Sequence, residues 1–306
     1  MKGRGKSVLE LDKIATEQRN ERSKNIDKVS TLEMVTIINE EDKKVPEAIA
    51  QILPQIAKAI DCIAQHFKQG GRLFYIGSGT SGRLGVLDAA ECPPTYSTAP
   101  AMIQGIMAGG YEAVFQAQEG AEDSEQLAKE DLSAKKITDK DVVVGLTASG
   151  RTPYVLGGLK YALSCGAATI AIACTDKAET AAFAKIQLTA LVGPEVVTGS
   201  TRMKAGTAQK LILNMLSTGA MIKLGKVYGN LMIDVKSSNK KLEERARRIV
   251  MTAANCNREH AEIALKQAGG KVRLAIFMLL SGLQAAEAEK QMEEAVQANF
   301  RQGEVQ

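Results

Sequence analysis

One pattern occurs twice in this chain and leaves few folds open to it. A short apolar run stops in glycines and hydroxyl residues, and the chain resumes as an amphipathic run. Leu73 to Ile76 lead into Gly77-Ser-Gly79-Thr-Ser-Gly82-Arg83 and then into helical spacing through Leu84 and Leu87. Asp141 to Leu146 lead into Thr147-Ala-Ser149-Gly150-Arg-Thr152, then into a helical pattern to about Ser164 and a further apolar run, Ala168 to Ala173. Across each turn the apolar period changes from that of a strand to that of a helix. Strands alternating with helices predict an α/β fold, a doubly wound parallel sheet with helices on both faces. Ile186 to Val192 reads as another short strand, and Lys204 to about Ile222 as a long, largely apolar helix.

Helices flank this core on both sides. Ser30-Thr31-Leu32-Glu33 has the S-x-x-E form of a capping box ahead of Val35, Ile37 and Ile38. From Pro46 to about Phe67, Ile49, Ile52, Ile56, Ile60 and Ile63 recur at helical spacing before Gly70-Gly71. From about Ser238 the chain loses strand character and gives three or four helical runs, broken at Gly269-Gly270 and Gly282. The sequence therefore divides into an N-terminal helical segment (1–60), a ligand-binding α/β domain (61–237) and a small all-helical C-terminal subdomain (238–306).

Composition removes several function classes. The chain has 306 residues, 45% of them hydrophobic, enough for a core that needs neither disulfides nor metal. The net charge of +4 is not gathered into a basic stripe, and aromatics make up only 4% without any Trp, which argues against a nucleic-acid partner. No apolar stretch approaches a membrane span or a secretory h-region, so a cytoplasmic protein with no membrane partner is expected. The five cysteines contain no C-x-x-C pair and only two histidines are present. Neither a structural zinc site nor His-based metal catalysis fits those numbers. His66 and His260 read as capping or surface residues, and Cys92 as structural.

The first glycine turn satisfies the letters of the dinucleotide fingerprint, but the region about 20 residues on, Pro100 to Met107, lacks the acidic partner of the ribose. The P-loop reading also fails, because Arg83-Leu84 stands where Lys and Ser/Thr are needed. What remains is the physics shared by both motifs: small residues let the backbone approach an anion, and helix N-terminal N–H groups and hydroxyls donate to it. Thr147-Ala-Ser149-Gly150-Arg-Thr152 repeats this design, and Thr198-Gly-Ser200-Thr201-Arg202 adds a third hydroxyl-rich turn before the long helix. Each turn taken alone is equally an N-cap. The first two, on neighbouring strands, would converge as a monophosphate site at the carboxyl edge of the sheet, and three such turns together argue against coincidence.

Two carboxylates attract notice. Glu91 precedes Cys92-Pro93-Pro94, which should end its helix and leave Glu91 at the unfavourable end of the dipole, with its carboxyl pushed upward. A solvated surface Glu is the competing reading. In Glu119-Gly-Ala-Glu122-Asp123-Ser-Glu125, helix-start chemistry accounts for Asp123 and Glu125, the latter paired with Lys129 at i, i+4. Glu122, among small residues, suits either that role or a cleft.

Taken together, GSGTSGRLGVLDAAECPPTY, QEGAEDS, DVVVGLTASGRTPYV and EVVTGSTRMKAGTAQKLILNMLSTG closely resemble the bacterial N-acetylmuramic acid 6-phosphate etherases. The likeness extends from TEQRNERSKNIDKVSTLEMVTIINEEDKKVP to the helical C-terminus. The resemblance implies a sugar isomerase (SIS) domain, a homodimer with sites near the subunit interface, and a sugar-phosphate substrate. The implied reaction cleaves the D-lactyl ether of N-acetylmuramic acid 6-phosphate by β-elimination and water addition, with no metal or redox cofactor. It also implies Glu91 as acid toward the departing lactate and Glu122 as base at C2. By the same resemblance, phosphate contacts are expected at Thr80, Ser81, Thr147, Ser149 and Thr152, and the sugar lining at Glu195, Ser200 and Thr201. The main alternative is a non-catalytic SIS-domain sensor of sugar phosphates, similar to the glucokinase regulatory protein. An aldose–ketose phosphate isomerase is a second alternative, and it needs no acid for a leaving ether oxygen.

Overall fold

The structure, a computed structural model, describes residues 17–118, 120–235 and 240–302. Residues 1–16, Glu119 of the acidic cluster, and the expected boundary near 237 lie outside the described residues. The chain divides into two compact units, Met1–Ala90 with Ala101–Thr218, and Glu91–Pro100 with Gly219–Gln306.

The first unit begins with helices. α1 (Thr31–Asp42) is capped by Ser30, whose hydroxyl accepts the Glu33 N–H at 3.3 Å, as the capping-box letters predict. The single helix expected from Pro46 to Phe67 is instead two, α2 (Lys44–Ala50) and α3 (Leu53–Lys68). Pro54 is the reason: inside a continuous helix it would leave the Ala50 carbonyl without a donor and clash with it, whereas in the first turn of α3 its missing N–H costs nothing. Ile56, Ala59, Ile63, Ala64 and Phe67 form the buried face of α3. His66, expected as a capping or surface residue, directs Nδ1 at the Lys140 carbonyl at 2.8 Å.

Then comes the sheet, alternating β1 (Leu73–Gly77), α4 (Gly79–Tyr96), β2 (Ile103–Met107), α5 (Gly110–Phe115), α6 (Glu125–Ala134), β3 (Val142–Leu146), α7 (Pro153–Ser164), β4 (Ala168–Ala173) and β5 (Ile186–Thr189). All four pairings are parallel, in the order β2-β1-β3-β4-β5. The expected doubly wound sheet is what the chain forms. β1, β3 and β4 are buried along their whole length, as interior strands covered on both faces must be. β2 is not legible as a strand from the sequence. It is an edge strand carrying Gln104 and Gly105, and only its two end residues are buried, so its apolar signal is weak.

Helices are held tightly against the sheet where side chains are missing. A Cβ on Gly158 would lie 2.3 Å from Ile76 Cδ1, and one on Gly157 would lie 2.3 Å from the Glu125 carbonyl oxygen. Two glycines inside α7 therefore trade helix propensity for close approach to β1 and α6. Glu125 pairs with Lys160 of α7 at 2.8 Å, a contact between helices in place of the expected i, i+4 pair with Lys129. The last element is α8 (Lys204–Lys223), the expected long helix.

The second unit has a short hairpin, β6 (Val227–Tyr228) with β7 (Leu231–Met232), and four helices: α9 (Lys240–Ala254), α10 (Arg258–Gln267), α11 (Val272–Ser281) and α12 (Ala285–Gln302). Its core is Ile249, Val250, Leu274, Ala275 and Met278 with a set of alanines. The breaks fall at the predicted glycines: Gly269, Gly270 and Gly282 all have positive φ, and Gly282 is the left-handed cap of α11.

Candidate active site

The 2-1-3-4-5 strand order sets where a ligand can sit. Consecutive crossovers leave β1 and β3 in opposite directions, and a crevice opens at the carboxyl ends of these two strands. In register Gly77 pairs with Leu146, so Ser78 and Thr147, the next residues of each, start neighbouring loops at that edge. The first two hydroxyl-rich turns predicted from sequence are thus brought side by side.

The first loop passes directly into α4. The Gly82 N–H bonds to the Ser78 carbonyl at 3.0 Å, which makes Ser78 the cap residue and leaves the N–H groups of the first turn directed outward. The turn is tight: a Cβ on Gly82 would sit 2.7 Å from Gly77 O and 2.9 Å from Met107 Cγ. Thr80 and Ser81 lie in this first turn and are partly exposed.

In the second loop the N-cap alternative can be tested directly. Thr152 precedes α7 but makes no side-chain capping bond. Its Oγ1 lies 2.8 Å from Thr147 Oγ1, which lies 3.3 Å from Ser149 Oγ. Ser149 also accepts the Arg151 N–H, at 3.4 Å. Ser149 and Thr152 are partly exposed, while Thr147 is 2% exposed. Thr147 therefore orders its two neighbours from below, a correction to its reading as a direct phosphate contact.

The third turn reaches the first through α8. A Cβ on Gly206 would be 3.4 Å from Thr80 Cγ2 and 3.6 Å from Thr201 O, so the start of α8 lies directly on Thr80. Ser200 and Thr201 are partly exposed in a turn closed by the Met203 N–H on Ser200 O and the Gly206 N–H on Thr201 O. Glu195 does not line a sugar site. It is fully buried, and its carboxylate oxygens accept the Lys204 and Ala205 N–H groups, each at 2.9 Å. Burial pushes its pKa up, opposed by those N–H groups. A carboxylate at a helix N-terminus is the favoured arrangement, and here it fixes where α8 begins.

Sequence reasoning missed the support beneath that point. Lys204, fully buried, sets Nζ 2.8 Å from Glu41 Oε2. Glu41 also takes bonds from Asn20 at 2.8 Å and Lys44 at 2.6 Å. Burial raises the Glu41 pKa, but the Lys204, Lys44 and Asn20 bonds outweigh it and bring it down to about 2. Asn20 and Ser23 donate in turn to the Pro194 and Val196 carbonyls on either side of Glu195, at 3.1 and 2.7 Å.

Glu122 sits in a single helical turn, Ala121–Asp123, between Gly120 and Ser124. Ser124 caps α6 by accepting the Leu127 N–H at 3.1 Å, so the start of that helix is served without Glu122. Glu122 is exposed and takes a bond from the Ser78 hydroxyl at 3.1 Å. It opens onto a cavity of about 140 Å³ lined by Ser78, Arg83, Met107 and Gln118 among others. Arg83 holds the wall by donating to the Ala113 and Val114 carbonyls, each at 2.8 Å. The cleft reading of Glu122 is the one the geometry favours.

Glu91 is exposed on α4. Its helix does not stop at Cys92: α4 continues through Pro93 and Pro94 to Tyr96, so the diproline does not terminate it. A proline removes one donor and crowds the carbonyl four residues back, and near a helix end that cost falls on bonds otherwise made by the fraying last turn. Glu91 is therefore not the last residue of its helix. A larger cavity of about 530 Å³ lies within the second unit, lined by Ser97, Asp234, Lys271, Arg273 and Met292 among others, and contains none of the predicted site residues. Among the described residues no three His, Cys, Asp or Glu side chains converge as metal ligands would, and no helix is long and apolar enough to cross a membrane.

A switch-point crevice bordered by hydroxyl-rich helix starts and one exposed carboxylate is the arrangement of a sugar-phosphate-binding SIS domain. The matching family models agree: the glucokinase regulatory protein N-terminal SIS domain over residues 55–163 and the SIS domain over 121–219. The chain belongs to the N-acetylmuramic acid 6-phosphate etherase family. It is 61% identical to the protein of that name from Clostridium beijerinckii, with 92% of each chain covered. It is 56% identical to that of Photorhabdus laumondii, over 92% of this chain and 93% of the relative. Among solved structures, a phosphoheptose isomerase from Francisella tularensis shares the fold, with a TM-score of 0.51 at 15% identity over 63% of this chain and all (100%) of that one.

Proposed function

We propose that the chain is a carbon–oxygen lyase that cleaves the D-lactyl ether of N-acetylmuramic acid 6-phosphate, giving N-acetylglucosamine 6-phosphate and D-lactate in the recycling of cell-wall amino sugars. The observation that carries the reading is the placement of Glu122 at the carboxyl edge of the sheet. It is hydrogen-bonded to Ser78 and exposed, beside helix starts suited to a phosphate.

An ether at C3 is a poor target until the sugar opens. The C1 aldehyde then acidifies the C2 hydrogen, and its removal lets the electron pair form a C2=C3 bond as the C3–O bond breaks. Glu122, as carboxylate, takes the C2 proton; Glu91, as acid, gives a proton to the lactate oxygen. Water then adds across the double bond, its oxygen to C3 and a proton to C2, so that the sum is ether hydrolysis. One group that starts ionised and another that starts protonated is what such a step requires. The phosphate, held by N–H groups of the α4 start together with Thr80, Ser81, Ser149 and Thr152, fixes the sugar without taking part in bond changes.

The protein acts in the cytoplasm as a homodimer with its sites near the interface. Exposed Tyr111 and Phe115 support the second point: they pack edge to face, with ring centroids 5.3 Å apart, on the helix that includes the cavity-lining Ala113. An uncovered aromatic pair next to a site suits a partner's surface. Sedimentation that gives a monomer at micromolar concentration removes this part of the reading.

Incubation with N-acetylmuramic acid 6-phosphate in heavy-oxygen water tests the reaction. Free D-lactate, with the label in the amino sugar and not in the lactate, is the expected product pattern. Binding without lactate release places the chain among sugar-phosphate sensors instead.

A further inference from the structure

α8 carries one polar side chain that neither capping nor packing explains. Gln209, in the second turn, is 1% exposed, and Ala205, Ala208 and Ile212 of the same helix are buried too. Its Oε1 accepts the Ser81 hydroxyl at 2.8 Å, while its buried Nε2 has no hydrogen-bond partner among the described residues. A buried amide donor left unsatisfied is costly, and an apolar side chain of similar size would avoid that cost at the same position.

The arrangement also sets Ser81 against its proposed task. A hydroxyl has one proton, and here Ser81 gives it to Gln209. A phosphate offers acceptors only, so Ser81 in this state presents it with lone pairs and no donor. Reversing the carboxamide exchanges Oε1 and Nε2 with almost no change in shape. Nε2 then donates to Ser81 Oγ over the same separation, its need is met, and the Ser81 proton is released toward the loop. The carbonyl left in the Nε2 position tolerates under-satisfaction better than an N–H does.

We propose that Gln209 is a positioning residue whose amide, by reversing, turns the Ser81 hydroxyl into a donor to the phosphate of the substrate. The inference rests on the reading of Ser81 as a phosphate contact. Thr80 and Thr201, both against Gly206 one turn earlier on α8, place Gln209 beneath the meeting point of the first and third turns.

Gln209→Met removes both amide functions and keeps the volume. The expected result is a KM for N-acetylmuramic acid 6-phosphate raised about tenfold, equivalent to about 1.4 kcal/mol, with kcat little changed. The melting temperature should be equal or higher, because an unsatisfied buried donor has gone. In a Ser81→Ala background the same substitution should leave KM unchanged. An equal KM rise in both backgrounds, no rise in either, or a rise that follows loss of stability overturns the proposal. Ser81→Ala alone distinguishes the underlying reading: if it leaves KM at the wild-type value, Ser81 does not contact phosphate. Gln209→Glu gives a second measure. As a carboxylate it can only accept from Ser81, so KM should rise further and fall again as pH is lowered and the acid regains a donor. A pH-independent KM in that variant counts against the proposal.

Discussion

The Ser78 hydroxyl donates to Glu122 Oε2 at 3.1 Å, joining the residue that follows β1 and caps α4 to the proposed base 44 positions later in the chain. A hydrogen bond to a carboxylate oxygen fixes the direction of the group. In the proposed reaction the first loop therefore serves twice, presenting N–H groups to the phosphate and holding the proposed base.

Glu122→Gln keeps the shape and the Ser78 contact but cannot accept the C2 proton. Lactate release should fall by about 10²- to 10⁴-fold, the range for loss of a general base, while affinity for inorganic phosphate stays near wild type. Ser78→Ala should lower kcat by less. Near-wild-type turnover in Glu122→Gln would move the base to another residue. Glu91→Ala, assayed in the same way, tests the proposed acid.

Ser149→Ala should weaken substrate binding by roughly 1.5–3 kcal/mol, as for a hydrogen bond to a charged group. Thr147→Val acts on the same loop from below, since Thr147 Oγ1 is within reach of both Ser149 and Thr152. The two effects should not add in the double variant, because each disturbs one shared network. Isothermal titration with a phosphate-bearing sugar measures all three, and strict additivity would contradict the network.

Gly82→Ala puts a methyl 2.7 Å from Gly77 O, a backbone atom that cannot swing aside. The loop has to open, at a cost of about 1–3 kcal/mol, and the outward N–H groups of the first α4 turn lose their common focus. Chemical denaturation should show the stability loss and phosphate titration a weaker Kd. A variant with wild-type values for both would mean that the turn relaxes without consequence.

Glu41 makes stability depend on acid. Its folded pKa of about 2 lies below the ordinary 4.5, so the stabilisation it supplies is fully present above that ordinary value. It is lost as pH falls from about 4.5 toward 2. Wild type and Glu41→Gln, melted across this range, should therefore converge as pH drops. Parallel curves would show that Glu41 is not held ionised. Lys204→Met leaves the carboxylate buried without its ammonium and should cost about 3–5 kcal/mol at neutral pH.

What could be read ahead of the structure was local. The strands β1, β3 and β4, the glycine turns behind β1 and β3, and the Gly269-Gly270 and Gly282 breaks all announce themselves within a few residues, because period and backbone preference are local properties. Glu122 as a cleft residue could be narrowed but not decided, since its partner Ser78 belongs to another segment. The structural role of Glu195 is not legible, because a carboxylate spent on backbone N–H groups nine and ten residues later has the same letters as one facing a ligand. Glu41 and Lys204 are 163 positions apart, and no pattern in either neighbourhood foretells the pair. Pro93-Pro94 show the reverse failure: a strong local rule gave way where the helix was close to its end.

Asn20 and Ser23 hold the strip of chain at 194–196, and Glu41 holds Lys204, so the position of the α8 start is set from a segment containing no proposed ligand contact. That segment acts as a keystone. Clipping the chain between Ser23 and Thr31 would leave every catalytic candidate intact and still slacken the mount of Thr201 and Gln209. Inactivation by such a nick would come from lost alignment, and lesions of this kind would be mistaken for active-site damage in any screen that scores product alone.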